Sequence, residues 1–124
     1  MVNSFFNTLL ASLFPHYCTL CGLRSDQPRP LCSPCKAEMT VNHSPCRRCG
    51  LPLPHRIGAR LCGQCLRRAL LFESTEAPWL YDEYMAFLIH RWKFHREERL
   101  TGLLAQLWLE HSPPAPEVDL LVPV

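Results

Sequence analysis

Four Cys-x-x-Cys pairs that use every cysteine of the chain, with helical hydrophobic periodicity on either side of them, predict a small metal-stabilised α+β fold. Its expected parts are an N-terminal helix, two tandem four-cysteine ribbons, and a strand followed by helices. The pairs are Cys18/Cys21, Cys32/Cys35, Cys46/Cys49 and Cys62/Cys65, with ten, ten and twelve residues between successive pairs. Each pair sets two thiolates on one side of a tight knuckle, so two knuckles close a tetrahedron around one ion. Four knuckles make two complete sites with nothing left over, the donor set and spacing of structural zinc. We therefore expect two Zn²⁺ per chain.

Two rivals use the same cysteines. Disulfides belong to oxidising compartments, but the start of the chain has no Lys or Arg before Arg24, and its apolar run stops at Phe14-Pro15. That is too short and wrongly flanked for a signal peptide or a membrane span, so a cytoplasmic location with reduced thiols is expected. A four-thiolate site also suits iron, and Gly22 and Gly50 follow their knuckles as they do in rubredoxin as well as in zinc ribbons. Two consecutive sites of similar spacing favour the redox-inert ion that builds folds. With four thiolates each, neither site keeps an open position for catalysis.

Residues 16–70 carry all the cysteines and little periodic hydrophobicity, so metal must supply stability that buried apolar surface does not. Near-equal gaps favour sequential pairing, with Cys18, Cys21, Cys32 and Cys35 around one ion and Cys46, Cys49, Cys62 and Cys65 around the other. A cross-braced pairing remains open to the sequence alone. Each knuckle is expected on a short hairpin, and Lys36 to Pro45 is expected to be a linker turning at Asn42-His43-Ser44.

Upstream, Phe5, Phe6, Leu9, Leu10, Leu13 and Phe14 recur at helical spacing over residues 3–14. The segment lacks the basic face of a membrane-surface helix, which leaves packing against the protein as its expected role. Downstream, Trp79-Leu80-Tyr81 is expected as a short strand. Asp82 caps a helix carrying Met85, Leu88, Ile89 and Trp92, and a second helix runs over about 97–110 through Leu100, Leu103, Leu104, Leu107 and Trp108. After a proline linker, Val118 to Val124 is nearly all apolar, like a strand of a buried parallel sheet. The expected division is residues 1–15, 16–70, 71–112 and 113–124.

Charge is distributed unevenly. The formal net charge is +2, and eight thiolates with two dications would carry it to −2, which does not support a globally basic nucleic-acid binder. Yet from Cys46 to Arg68 the chain holds Arg47, Arg48, Arg56, Arg60, Arg67 and Arg68 with no Asp or Glu. That half can track phosphates, although it carries no aromatic beyond the ring of His55 for stacking bases. A second basic patch, Arg91, Lys93, His95 and Arg96, lies beside Trp92 and Phe94, where charge and aromatics interleave as a strand-binding surface requires, and Lys93 joins the candidate nucleic-acid contacts. Its periodicity favours an amphipathic helix with Trp92 turned inward.

The whole set of motifs resembles the N-terminal part of the ComF/GntX family of competence and DNA-utilisation proteins. The matching residues are Leu13-Phe14-Pro15 before Cys18-Thr19-Leu20-Cys21-Gly22, the Leu31-Cys32 knuckle, Cys46-Arg47-Arg48-Cys49-Gly50 and Cys62-Gly63-Gln64-Cys65. They continue with Tyr84 through Ile89 leading into Trp92-Lys93-Phe94. The resemblance implies a double zinc ribbon followed by a phosphoribosyltransferase-like α/β domain, of which residues 113–124 would be the first strand. It also implies single-stranded DNA and other DNA-uptake proteins as partners. No acidic pair followed by a Thr/Gly-rich turn is present: behind Asp82-Glu83 stand Tyr84-Met85-Ala86, which offer neither glycine nor hydroxyl. The chain is thus expected to be non-catalytic, with Lys93 the one residue that would serve a catalytic domain. A protein–protein adaptor and the remnant of a truncated phosphoribosyltransferase-type protein are the competing expectations.

Overall fold

A computed structural model describes residues 15–54, 60–68, 70–112, 117–120 and 122. The helix expected over 3–14 lies outside them. The elements are α1 (Ser33–Glu38), α2 (Gly63–Arg67), α3 (Glu83–Phe94) and α4 (Arg99–His111).

The two ribbons are one unit built twice. In the first, the N–H of Cys18 donates to the Leu23 carbonyl (2.7 Å), Gly22 to Cys18 (2.9 Å) and Ser25 to His16 (2.7 Å). In the second, Cys46 donates to Leu51 (2.7 Å), Gly50 to Cys46 (2.8 Å) and Leu53 to Ser44 (2.8 Å). Both knuckles turn through a left-handed glycine, Gly22 at φ 73° and Gly50 at φ 74°, a conformation other residues adopt only at a cost. Hairpins are therefore confirmed at the first knuckle of each ribbon, where Tyr17 bridges Arg24 and Pro45 bridges Pro52. They are not found at the second. Cys32 and Cys62 are N-caps, and Cys35 and Cys65 sit in the first turns of α1 and α2. Pro34 pre-sets the first turn of α1, and the Cys62 sulfur accepts the N–H of Cys65.

The expected linker over Lys36 to Pro45 is instead a junction. Its first residues finish α1, Met39 is buried in the core where the chain first bends, and it bends again at His43-Ser44. Val41 bridges Trp79 in antiparallel sense, Leu80 N–H donates to the Thr40 carbonyl (2.9 Å), and Asn42 N–H to the Pro78 carbonyl (2.8 Å). The buried Asn42 side chain also donates to the Gly50 carbonyl (2.9 Å), tying the second ribbon to this junction. Gly50 has no room for a side chain, because a Cβ there would meet that of Ala77 at 2.8 Å. The strand expected at Trp79-Leu80-Tyr81 is thus reduced to a single bridge: its one neighbour is the short 40–42 segment, and Pro78 has no N–H to donate.

The two helices form where hydrophobic spacing placed them. Leu88, Leu100, Leu103 and Leu107 are buried with Met85, Met39 and Leu31, and Cys18 and Cys32 of the first ribbon belong to the same cluster. Glu110 on α4 clamps this arrangement from outside, pairing with Arg29 (3.1 Å) and Lys36 (2.6 Å) of the first ribbon. Trp79 donates its indole N–H to the Leu107 carbonyl (2.7 Å). Among the described residues, the second ribbon shares none of this core. Its buried residues are Cys46, Cys62 and Cys65, with Leu53, Leu61 and Leu70 packed against them. Among the described residues of 117–122 no strand forms, and Val118, Leu120 and Val122 are exposed. A parallel strand requires neighbours to receive its hydrogen bonds, and the described residues supply none to this segment.

Asp82 joins the two levels of structure. One carboxylate oxygen accepts the Met85 N–H at the start of α3 (2.9 Å), and the other accepts the Thr40 N–H of the junction (3.0 Å). Burial alone would raise this carboxyl, but those two N–H groups outweigh it and hold it below its ordinary value. Asp82→Ala should therefore destabilise the fold by about 1–2 kcal/mol, and Asp82→Asn by less, since Asn also caps. Because the folded carboxyl is the more acidic, its contribution is fully present above the unfolded value of about 3.9 and disappears as pH falls through the folded one. Chemical denaturation of the zinc-loaded variants at neutral and acid pH measures both effects.

Candidate metal centres

Each ribbon brings four sulfurs together at one end. The Sγ atoms of Cys18, Cys21, Cys32 and Cys35 all lie within 4.8 Å of one another, as do those of Cys46, Cys49, Cys62 and Cys65. Pairing is sequential, and the cross-braced alternative is overturned. All eight cysteines are free. The Cys21 and Cys32 sulfurs stand 3.8 Å apart, and those of Cys49 and Cys62 3.7 Å. A disulfide requires about 2.05 Å. A tetrahedron of sulfurs, each about 2.3 Å from a central zinc, has edges of roughly 3.8 Å. The donor chemistry and the spacing both fit zinc, and all four positions are filled by protein.

Electrostatics support the same ion. The Cys49 N–H, with those of Cys62 and Arg48, outweighs burial and draws the Cys46 thiol down to about 6. At Cys18 burial is the largest influence and acts upward, but the N–H groups of Cys21, Cys32 and Leu20 together bring that thiol to about 6. At the other end of each ribbon the direction reverses. Burial and the neighbouring sulfurs push Cys65 up to about 12 and Cys35 well above its ordinary value. Four sulfurs this close cannot all be thiolates unless a cation sits among them, and a dication allows all four to ionise.

Local contacts that sequence reading missed shape these sites. The Asp26 carboxylate accepts the Ser33 N–H (2.8 Å), fixing the turn that delivers Cys35. The Cys62 N–H points at the Cys46 sulfur (3.2 Å), linking the two knuckles of the second ribbon directly. The first joins residues seven apart across the loop between the knuckles, outside any capping pattern in sequence. The second depends on the closed geometry and leaves no trace in spacing.

The arginines expected to meet nucleic acid divide into two groups. Arg47, Arg48 and Arg60 line one open cleft of about 580 Å³ together with Glu73, Ser74 and Glu76. Arg67 and Arg68 border a separate hollow beside Gln64. Arg56 lies outside the described residues, and Lys93 is exposed on α3. The acid-free run in sequence is thus not acid-free in space, although among the described residues none of these arginines forms an ion pair with Glu73 or Glu76. No helix among the described residues is long and apolar enough to cross a membrane.

The fold and its eight sulfurs define a double zinc ribbon with two structural zinc sites. Residues 9–66 match the double zinc ribbon domain family, close to half of the chain. The chain is similar to the DNA utilization protein YhgH of Escherichia coli K12, of E. coli O157:H7 and of Shigella flexneri. Each is 29% identical over 79 residues, covering 64% of this chain and 34% of the relative. The matched region therefore spans about a third of those relatives' length. No solved structure gives a significant match.

The unequal cores predict unequal consequences of losing one ion. Cys49→Ser should lower zinc from two atoms per chain to one and unfold residues 44–68, because that ribbon's buried cluster is largely its own sulfurs. Cys32→Ser should in addition loosen α3 and α4, whose core includes Cys32. Structural zinc contributes on the order of 10 kcal/mol, more than such a ribbon can lose. Metal content by mass spectrometry and hydrogen exchange across Leu88 and Leu100 test the pair of outcomes; retention of two zincs by either variant would overturn the ligand assignment.

Proposed function

We propose that the double zinc ribbon handles single-stranded DNA during its uptake or utilisation in the bacterial cytoplasm, with the zincs holding the fold and taking no part in chemistry. The observation that carries this is the cleft of Arg47, Arg48 and Arg60, three guanidinium groups on a rigid ribbon with no ion-pair partner among the described residues. Unpaired arginines are suited to phosphate oxygens, and each phosphate neutralised releases counterions to solution. The name of the relatives, DNA utilization protein, agrees with this reading. Glu73 and Glu76 at the same cleft would temper affinity, which suits a strand that must be released. Other DNA-uptake proteins are the natural partners of such a module, and the apolar run from Val118 fits the opening of a phosphoribosyltransferase-like domain.

A second reading, an adaptor for a protein partner, is favoured by one feature. Between residues 76–81, α3 and α4 lies a groove of about 300 Å³ walled by Trp79, Met85, Ile89, Trp92, Leu104 and Trp108. The indole N–H groups of Trp79 and Trp92 are spent internally, on Leu107 and Thr101. Those walls therefore offer mainly carbon, and a nucleobase entering would leave its polar edge unsatisfied. An apolar side chain would not.

Salt separates the two. Binding of oligodeoxythymidylate by the zinc-loaded chain should weaken steeply with salt, and replacing Arg47, Arg48 and Arg60 together by Ala should reduce the slope of log K against log salt by about 2. Glu73→Gln with Glu76→Gln should tighten binding. An unchanged slope in the triple variant would remove the cleft from the interface, and salt-independent capture of a protein would favour the adaptor.

A further inference from the structure

The ribbon cleft supplies charge without aromatic rings. The far end of α3 supplies both. Its apolar stripe turns inward through Met85, Leu88 and Ile89, and Trp92, 37% exposed, is held by its bond to Thr101. Phe94 falls off that stripe and is 71% exposed at the last residue of the helix. It does not stand alone. The His90 ring lies one turn earlier with its centroid 4.9 Å from that of Phe94, and His95 follows with its centroid 5.3 Å from His90. Three exposed rings thus share one corner, with His90 in ring contact with both Phe94 and His95.

The charges around that corner are sorted. Arg91 is committed to Glu97, which also binds Arg99 at 2.9 Å, so this acid is already neutralised. Lys93 and Arg96 have no acidic partner among the described residues. Arg96 is held at φ 54°, left-handed for a residue with a side chain, where its carbonyl accepts the Glu98 N–H (2.9 Å). That turn ends α3 directly after the rings, on a residue whose guanidinium has no ion pair among the described residues. Of the described acids in this turn, Glu98 is the one left without an ion pair.

From this juxtaposition we propose a second contact surface for a single-stranded polynucleotide. A base stacks on Phe94 beside His90, while Lys93 and Arg96 hold the neighbouring phosphates. Alternating ring and cation matches the alternating base and phosphate of an unpaired strand, whereas a duplex hides the base faces that Phe94 needs. The proposal rests on the nucleic-acid reading of the ribbons and adds the stacking element they lack. It also assigns Lys93 a phosphate contact on this surface.

The test uses the zinc-loaded full chain and fluorescence anisotropy with oligodeoxythymidylate, oligouridylate and an abasic deoxyribose oligomer. Phe94→Leu, which keeps an apolar side chain but removes the ring, should weaken binding of both base-bearing strands by roughly ten-fold, within the range of one lost stack. The salt slope and the affinity for the abasic strand should stay unchanged, and Phe94→Trp should restore binding. Lys93→Ala with Arg96→Ala should lower the salt slope by about 1.4. Wild-type affinity in Phe94→Leu would overturn the platform while leaving the ribbon reading intact, and is the result expected if these rings serve a protein partner. An equal loss on the abasic strand would show that the ring acts only structurally. Failure of the unaltered chain to bind any strand would overturn both readings.

Discussion

Closure of four sulfurs around one ion is the constraint on which the rest of the molecule depends, because here the ligands are also core residues. Cys18 and Cys32 are packed with Leu31, Met39, Leu88, Leu100, Leu103 and Leu107. The helices therefore rest on a surface that exists only when the first ribbon is closed. A chain with so few large buried side chains gains little from apolar burial in its ribbons. The metal fixes the knuckles, the knuckles place Leu31 and Met39, and those residues give the helix pair something to cover.

Much of this was legible because the signals are local. A Cys-x-x-Cys-Gly knuckle states its own turn within five residues, and the Asp82 cap and leucine spacing of α3 and α4 need no information from elsewhere. Misreadings fell where the deciding partner is remote. Thr40, Val41 and Asn42 look like linker between two motifs; their hydrogen-bond partners, Pro78, Trp79, Leu80 and Asp82, are some forty residues downstream. The sequence reading places the knuckles at Cys32 and Cys62 on hairpins like the others. Without a following glycine, and with Pro34 in place to start a helix, the chain continues into α1 instead.

Charge shows the same limit. Composition within 46–68 correctly isolated the basic half, but the acids that share its cleft, Glu73 and Glu76, lie just beyond that window. Conversely, the patch at the end of α3 read in sequence as an amphipathic helix with Trp92 inward. The structure leaves Trp92 37% exposed on the wall of the apolar groove, tied to Thr101 by its indole N–H, and Phe94, two residues further on, 71% exposed. How far each ring stays in solvent is decided by the corner where α3 meets α4, and spacing does not record it.

The duplicated ribbon has one further consequence. Two copies of a unit share the same internal bonds, yet only one of them carries the helices. Substitutions on the first copy disturb a surface on which Leu88 and Leu103 depend; among the described residues, those on the second are answered by its own knuckles, Leu53, Leu61, Leu70, Asn42 and the Ala77 contact. The extra length between Cys49 and Cys62, absent between Cys21 and Cys32, lies in that unburdened copy. Evolution thus has a spare part to work with: a fixed bearing that keeps the molecule assembled, and beside it an interchangeable head whose loops can lengthen and change charge without rebuilding the frame.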